Sequence, residues 1–263
     1  MDHSYYRDLT FNKSTDPLSL VEINLTDFCN RRCSFCPHSG SFHYGVKQSM
    51  SISTAAIINQ HLLDLDFKQT VSFCGFGEPL FADNFIELVN TLTNNVDCRV
   101  ELNTNCDFVT RETIEQTNIT HLILSMYDED NTKKFEGMFE DSNVTLVFKH
   151  FYNTDNMSIV NRDNIMNRDK SLDIGRPCHS PFSKMFIDCD GSVLLCANDW
   201  SKNSVVGNIN EDTIEDIWMN DNYRQYREML IEGRRDVEPC NKCNIDGTLF
   251  GQKSFDYFKD LYK

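Results

Sequence analysis

The sequence predicts an α/β fold, namely a partial (β/α) TIM-type barrel of about five or six parallel strands followed by a small C-terminal module. Between residue 20 and Phe151, β-rich apolar runs alternate with helical patterns. Repeated strand–helix units favour parallel strands joined by right-handed crossovers, which curl the sheet. Polar and glycine-containing motifs follow the strands, where parallel sheets bind ligands. The alternation stops after Phe151, which indicates a change of organisation.

The barrel elements follow from the spacing of apolar residues. Five strands are predicted at 20–25, 70–73, 99–102, 121–125 and 144–148. Four helices are predicted between them at 52–65, 84–92, 111–116 and 130–139. Ser51 or Ser53 is the expected N-cap of the first helix, because a serine hydroxyl can accept a hydrogen bond from a free backbone N–H.

The C-terminal part has a different pattern. Residues 185–196 are predicted to form a hairpin that turns at Asp190 and Gly191, and two helices follow at 213–219 and 223–231. Gly233 is the expected C-cap of the second helix. We therefore expect an N-terminal arm over 1–18, a barrel over 19–169 and a separate module over 170–263.

Composition excludes several classes of protein. The 263 residues carry 25 Lys and Arg against 40 Asp and Glu, a net charge of -15, which disfavours nucleic acid and anionic membranes as partners. No apolar run reaches the ~18 residues that span a bilayer, and no secretory signal is recognised. We therefore expect a cytoplasmic protein. There the odd total of 11 cysteines argues against a disulfide framework and for metal binding, catalysis or packing.

Three cysteines lie together on the loop after the first predicted strand. Cys29, Cys33 and Cys36 have the spacing C-x3-C-x2-C. Three thiolates cannot close a tetrahedral zinc site by themselves, but they can hold a [4Fe–4S] cluster that leaves one iron open. A zinc site with His38 as the fourth ligand is the alternative.

This spacing, with Phe35 before the third cysteine, resembles the radical S-adenosylmethionine (radical SAM) superfamily, in which SAM chelates the open iron. Three further segments at predicted strand ends support the resemblance. The segment over residues 74–79 is similar to the superfamily's Gly-Gly-Glu-Pro motif, although Phe76 interrupts its glycine pair. The segment over residues 103–106 is similar to Thr-Asn-Gly, with Cys106 in place of the glycine. The resemblance implies SAM contacts from these segments and a later serine, namely Phe35, Gly77, Glu78, Pro79, Asn105 and Ser125. Without it, each could be an ordinary turn or strand-end polar residue.

A second cysteine set follows in the C-terminal region: Cys178, Cys196, Cys240 and Cys243. It resembles the SPASM and twitch modules of radical SAM enzymes, which bind auxiliary clusters. The resemblance implies one [4Fe–4S] cluster closed by four thiolates, which suits electron transfer. A structural zinc site is the alternative, and Cys189 could replace one of the four ligands.

The resemblance implies SAM and two [4Fe–4S] clusters as cofactors, and a flavodoxin or ferredoxin-type protein as electron donor. A subgroup with one auxiliary cluster is similar over about residues 20–250 and oxidises an aminocyclitol alcohol. We therefore expect two-electron oxidation of a secondary alcohol of a small polyol, aminocyclitol or sugar. Arg162 is the expected substrate clamp, and the base is not identified, with His150 and His179 as loose candidates. Modification of a peptide, epimerisation of a sugar and a non-catalytic zinc protein remain open.

Overall fold

A computed structural model describes residues 15–39, 48–127, 131–151, 165–166 and 175–263. One eight-stranded sheet runs through the described residues in the order β5-β4-β3-β2-β1-β6-β7-β8. The strands are β1 Leu20–Ile23, β2 Thr70–Phe73, β3 Arg99–Thr104, β4 His121–Met126, β5 Thr145–His150, β6 Lys184–Ile187, β7 Ser192–Leu194 and β8 Val205–Asn208. The six from β5 to β6 are parallel, and β7 and β8 are antiparallel. The open sheet confirms the predicted α/β partial barrel.

Eight helices accompany these strands among the described residues. They are α1 Ile52–Asp64, α2 Phe85–Thr93, α3 Arg111–Glu115, α4 Thr132–Met138, α5 Ser180–Ser183, α6 Ile214–Met219, α7 Asp221–Ile231 and α8 Gln252–Leu261. Helix α1 begins as expected, because the Ser51 hydroxyl accepts a hydrogen bond from Thr54 N–H at 3.0 Å. The sequence did not predict β8, α5 or α8.

The two faces of the sheet differ in polarity. Alternate strand residues such as Val21, Val71 and Leu102 are buried in one large apolar core with the helices. On the other face, the strand register places Glu22, Ser72 and Glu101 in one row. The carboxyl ends of the parallel strands meet at one edge of this polar face, where the loops with the predicted site residues begin.

Strand β6 joins the C-terminal region to the barrel. It pairs in parallel with β1, and Leu20 lies opposite Lys184 and Ile23 opposite Ile187. The predicted boundary between residues 169 and 170 lies outside the described residues and stays a prediction, as does most of the arm over 1–18. Within the described ranges, no helix has the length and apolar character needed to cross a membrane.

Candidate active site

The three N-terminal cysteines line one cavity. Cys29, Cys33 and Cys36 follow β1 and border a space of ≈ 330 Å³ at the carboxyl end of the parallel strands. The loop is ordered by its own backbone, because Cys36 N–H donates to Cys33 O at 2.9 Å and Arg31 N–H donates to Cys29 Sγ at 3.4 Å. The pKa of Cys29 is raised to about 11, mainly by burial, with smaller contributions from the Glu78 carboxylate and the neighbouring thiolates. A cationic iron centre would favour the thiolate forms, so this donor set fits a cluster with three protein ligands.

The segment after β2 packs against this cysteine loop. Gly77 is needed for the close approach, since a Cβ atom there would lie 2.2 Å from Thr26 O and 2.5 Å from Phe28 O. The next residue, Glu78, donates its N–H to Phe28 O at 2.8 Å. Pro79 is buried and begins a short 3-10 turn over Pro79–Phe81. Gly77 and Glu78 therefore line the same cavity as the cysteines.

The Glu78 side chain links the β2 loop to the end of β3. Its Oε1 accepts hydrogen bonds from Thr104 Oγ1 at 2.7 Å and Leu80 N–H at 3.3 Å, and its Oε2 accepts one from Asn105 N–H at 2.7 Å. Burial raises the pKa of Glu78 to about 7, against the lowering effect of these donors. Three of about four acceptor positions of the carboxylate are thus used within the protein. The SAM contact that the resemblance implies for Glu78 stays a prediction.

Asn105 and Ser125 reach the cavity from the next two strands. The Asn105 Nδ2 atom donates to Asn30 Oδ1 at 2.8 Å, which holds the cysteine loop against β3. Cys106, which stands where the superfamily has glycine, has a φ of 73°, in the left-handed region that favours glycine. Ser125 lies on β4 at the cavity wall, opposite Lys149 of β5.

An aromatic wall closes one side of the cavity. Phe35 stacks on Tyr127 with 6.2 Å between ring centroids, and on Phe151 with 5.4 Å. The Arg31 guanidinium lies 4.2 Å from the centre of the Tyr127 ring. Tyr127 and Phe151 follow β4 and β5 directly and were not predicted as site residues. Their position just beyond predicted parallel strands was the signal that could have found them.

His38 and Trp200 also line the cavity and come from segments far apart in the sequence. His38 Nε2 lies 2.7 Å from Phe76 O, so the structure gives this ring nitrogen a protein partner. The predicted clamp Arg162 lies outside the described residues. Of the base candidates, His150 is exposed, and His179 is buried with its ring 4.5 Å from that of Phe255.

The four C-terminal cysteines line a second cavity. Cys178, Cys196, Cys240 and Cys243 surround a space of ≈ 240 Å³. Burial raises the pKa of Cys240 to about 12, and the adjacent Cys178 and Cys243 thiolates add to the rise. Burial and the same neighbours also hold the pKa of Cys196 well above its usual value. Four half-buried thiols grouped around one cavity fit a metal centre, which compensates the charge of the thiolates.

Buried Arg235 joins the segment before Cys178 to the segment that follows Cys243. Its guanidinium donates to Arg176 O at 3.1 Å and Pro177 O at 3.2 Å on one side, and to Ile245 O at 3.2 Å on the other. Cys189, the possible replacement ligand, is buried beside the carboxylates of Asp27 and Asp188 instead.

Comparison with known proteins agrees with this arrangement. The radical SAM superfamily model matches residues 23–117, and the model of SPASM, an iron–sulfur cluster-binding domain, matches residues 178–244. The chain is 28% identical over 250 residues to S-adenosyl-L-methionine-dependent 2-deoxy-scyllo-inosamine dehydrogenase from Niallia circulans, covering 91% of this chain and 97% of that protein.

Two solved structures extend the comparison. The crystal structure of BtrN in complex with AdoMet and 2-DOIA has a TM-score of 0.74 and 28% identity, covering 87% of this chain and 94% of that one. Streptococcus suis SuiB bound to precursor peptide SuiA has a TM-score of 0.58 at 15% identity, covering 86% of this chain and 70% of that one, and shows a shared fold.

The two matched families confirm the cofactors predicted from the sequence, SAM and two [4Fe–4S] clusters. Each of the two matched ranges contains one of the two cysteine sets. Residues 23–117 of the chain therefore match the radical SAM superfamily, and residues 178–244 match a SPASM-type iron–sulfur domain.

Proposed function

We propose that this enzyme oxidises a secondary alcohol of a small polyol, aminocyclitol or sugar to a ketone, with SAM as the oxidant. The observation that carries the proposal is the 28% identity to the 2-deoxy-scyllo-inosamine dehydrogenase, because it extends over 91% of the chain and so over both cysteine sets. Function depends on the site rather than the fold, so the substrate class rests on this relative.

In this proposal the three N-terminal cysteines hold the cluster that binds SAM. SAM and the reduced cluster supply abstraction of a hydrogen atom from an unactivated carbon. Glu78 and Asn105 join the cysteine loop to β3 and so keep the cavity in one shape. The wall of Phe35, Tyr127 and Phe151 excludes water from that side.

The C-terminal site has the features of an electron acceptor. Its four thiols suffice to close a cluster, which leaves no iron open for substrate. Cys178, Cys196, Cys240 and Cys243 would hold a cluster that could accept the second electron of the oxidation, and a base would take the hydroxyl proton. Arg162 is the proposed substrate clamp, because an arginine stays protonated and binds hydroxyl oxygens well.

We further propose a division into a barrel over 19–169 and a cluster module over 170–263.

We also propose that a flavodoxin or ferredoxin-type protein supplies the activating electron. We also propose a cytoplasmic location, where cysteine thiols stay reduced and available as metal ligands.

The test supplies 2-deoxy-scyllo-inosamine, deuterated at the carbon to be oxidised, to the reconstituted enzyme under anaerobic conditions. We expect one 5′-deoxyadenosine and one methionine for each ketone, with deuterium retained in 5′-deoxyadenosine. The variant Cys240→Ala/Cys243→Ala should form no ketone. A product at the oxidation state of the substrate would instead support epimerisation, and the absence of label transfer from any amino sugar would reject this substrate class.

A further inference from the structure

A short loop connects the two cysteine cavities. Cys196 lines the C-terminal cavity, and Trp200, only four residues later, lines the N-terminal one. The loop is tightly folded, because Asp199 N–H donates to Cys196 O at 3.1 Å and Lys202 N–H donates to Asp199 O at 3.1 Å. The buried Asp199 carboxylate also accepts from Ser204 N–H at 2.8 Å. The loop therefore joins the two cavities through a short hydrogen-bonded turn.

The far end of the loop contacts Phe76, the residue that interrupts the glycine pair of the SAM motif. The Trp200 ring lies 4.9 Å from the Phe76 ring, and the Lys202 Nζ atom lies 5.2 Å from its centroid. The backbone of Phe76 is held as well, since its N–H donates to Asn24 Oδ1 at 3.0 Å and its carbonyl lies 2.7 Å from His38 Nε2.

Lys202 also fixes the Asn24 amide through two buried carboxylates. Its Nζ atom lies 2.7 Å from Asp27 Oδ2 and 2.7 Å from Asp188 Oδ2. The second oxygen of each carboxylate accepts from Asn24 Nδ2, at 2.8 Å in both cases. Because both carboxylates engage Nδ2, the Asn24 oxygen must point at Phe76 N–H. The Lys202 ammonium thus offsets one of the two carboxylate charges in this buried group.

We propose that Lys202 is a positioning residue for the Cys74–Pro79 segment, and that the 196–202 loop makes SAM affinity depend on an intact C-terminal cysteine site. The inference rests on the proposed cluster ligands and goes beyond the proposed reaction. Coupling of this kind is reciprocal, so SAM binding in turn favours the ordered C-terminal site.

The test measures the dissociation constant of SAM by calorimetry, with iron content as a second readout. The double variant Asp27→Asn/Lys202→Met keeps the net charge of the buried group, and Asp27→Asn alone isolates the loss of the carboxylate. We expect the double variant to bind SAM about 5–150-fold more weakly, with both clusters retained, and the single variant to change affinity much less. Lys259→Met on the exposed end of α8 is the surface control.

A second arm removes the other end of the pathway and does not depend on how the Lys202 variant folds. Cys240→Ser/Cys243→Ser should lose about half of the iron and also weaken SAM binding, although neither residue lines the SAM cavity. A third variant combines Asp27→Asn/Lys202→Met with Cys240→Ser/Cys243→Ser. It should bind SAM no more weakly than the weaker-binding of the two double variants, because both sets of changes act through one loop.

Unchanged SAM affinity in the cysteine variant, or fully additive losses, would overturn the inference and leave the proposed reaction untouched. Wild-type protein that carries both clusters but does not bind SAM would reject the proposed function, and the inference with it.

Discussion

Replacing Glu78 by glutamine tests whether this carboxylate organises the SAM cavity. The wild-type side chain accepts hydrogen bonds from two backbone N–H groups, those of Leu80 and Asn105, one on each oxygen. A glutamine amide has a single acceptor oxygen. Whichever way the amide is oriented, one of these N–H groups faces another donor, while the shape of the side chain stays the same.

The size of the effect follows from the burial of the site. Glu78 is 3% exposed, so water cannot replace the lost acceptor. A hydrogen bond to a charged group contributes about 1.5–3 kcal/mol, and an unsatisfied buried donor costs about 1–3 kcal/mol. Because burial raises the pKa of Glu78 to about 7, part of the wild-type population is already neutral. We therefore expect the free energy of unfolding to fall by about 2–4 kcal/mol and the Tm by roughly 10 °C.

Two measurements check this prediction. Urea unfolding of the metal-free chain, followed by circular dichroism, gives the change in stability, and calorimetry on reconstituted protein gives the SAM dissociation constant, which should rise at least tenfold. Glu87→Gln, an exposed change on α2, is the matched control and should alter neither quantity. A Glu78→Gln variant as stable as the wild type would refute the bracing role derived from these hydrogen bonds.

Four further predictions follow, three from the N-terminal cavity and one from helix α4. Alanine at the three N-terminal cysteines should leave about half of the iron after anaerobic reconstitution, measured as iron and sulfide per chain, and complete loss from a folded variant would contradict the partition of ligands. Gly77→Ala should abolish SAM binding because its Cβ atom would meet Thr26 O at 2.2 Å. Gly137→Ala in α4, where a Cβ meets nothing within 4 Å, should stabilise the chain by about 0.5–1 kcal/mol in urea unfolding. Since burial raises the pKa of Glu78 from 4.5 to about 7, its contribution to stability is present below pH 4.5 and is lost as the pH rises to 7. Glu78→Gln should remove that part of the pH dependence in urea unfolding, and an unchanged slope would contradict this assignment.

Much of the local structure was predictable because its signals are local. The predicted strand over 70–73 is the observed β2, and Ser51 is the observed N-cap of α1. A serine before an apolar helix and a β-branched run between turns act within a few residues. The left-handed conformation of Cys106 agrees with its position in the resemblance, since the superfamily has glycine there.

Other features had no local signal. Helix α8 lies near the C-terminus and binds the start of the described chain through Ser254 Oγ, which donates to Pro17 O at 2.9 Å. Arg227 lies in a helix of polar sequence, where an arginine is expected to be exposed. It is instead buried between the Trp218 and Phe258 rings, with its guanidinium carbon 4.1 Å and 4.0 Å from their centroids. Such burial depends on partners far along the chain, which periodicity within one helix does not reveal.

By itself, the sequence determined the α/β alternation, the order of the strand-end motifs and the division of the cysteines into sets of three and four. These follow from residue types and spacings within short windows. Only the tertiary structure decided that β6 pairs with β1, that Glu78 is held by β3, and that Trp200 and Lys202 contact the SAM motif. Such contacts join residues more than 25 positions apart and depend on how the crossovers pack the sheet, a property of the folded chain as a whole.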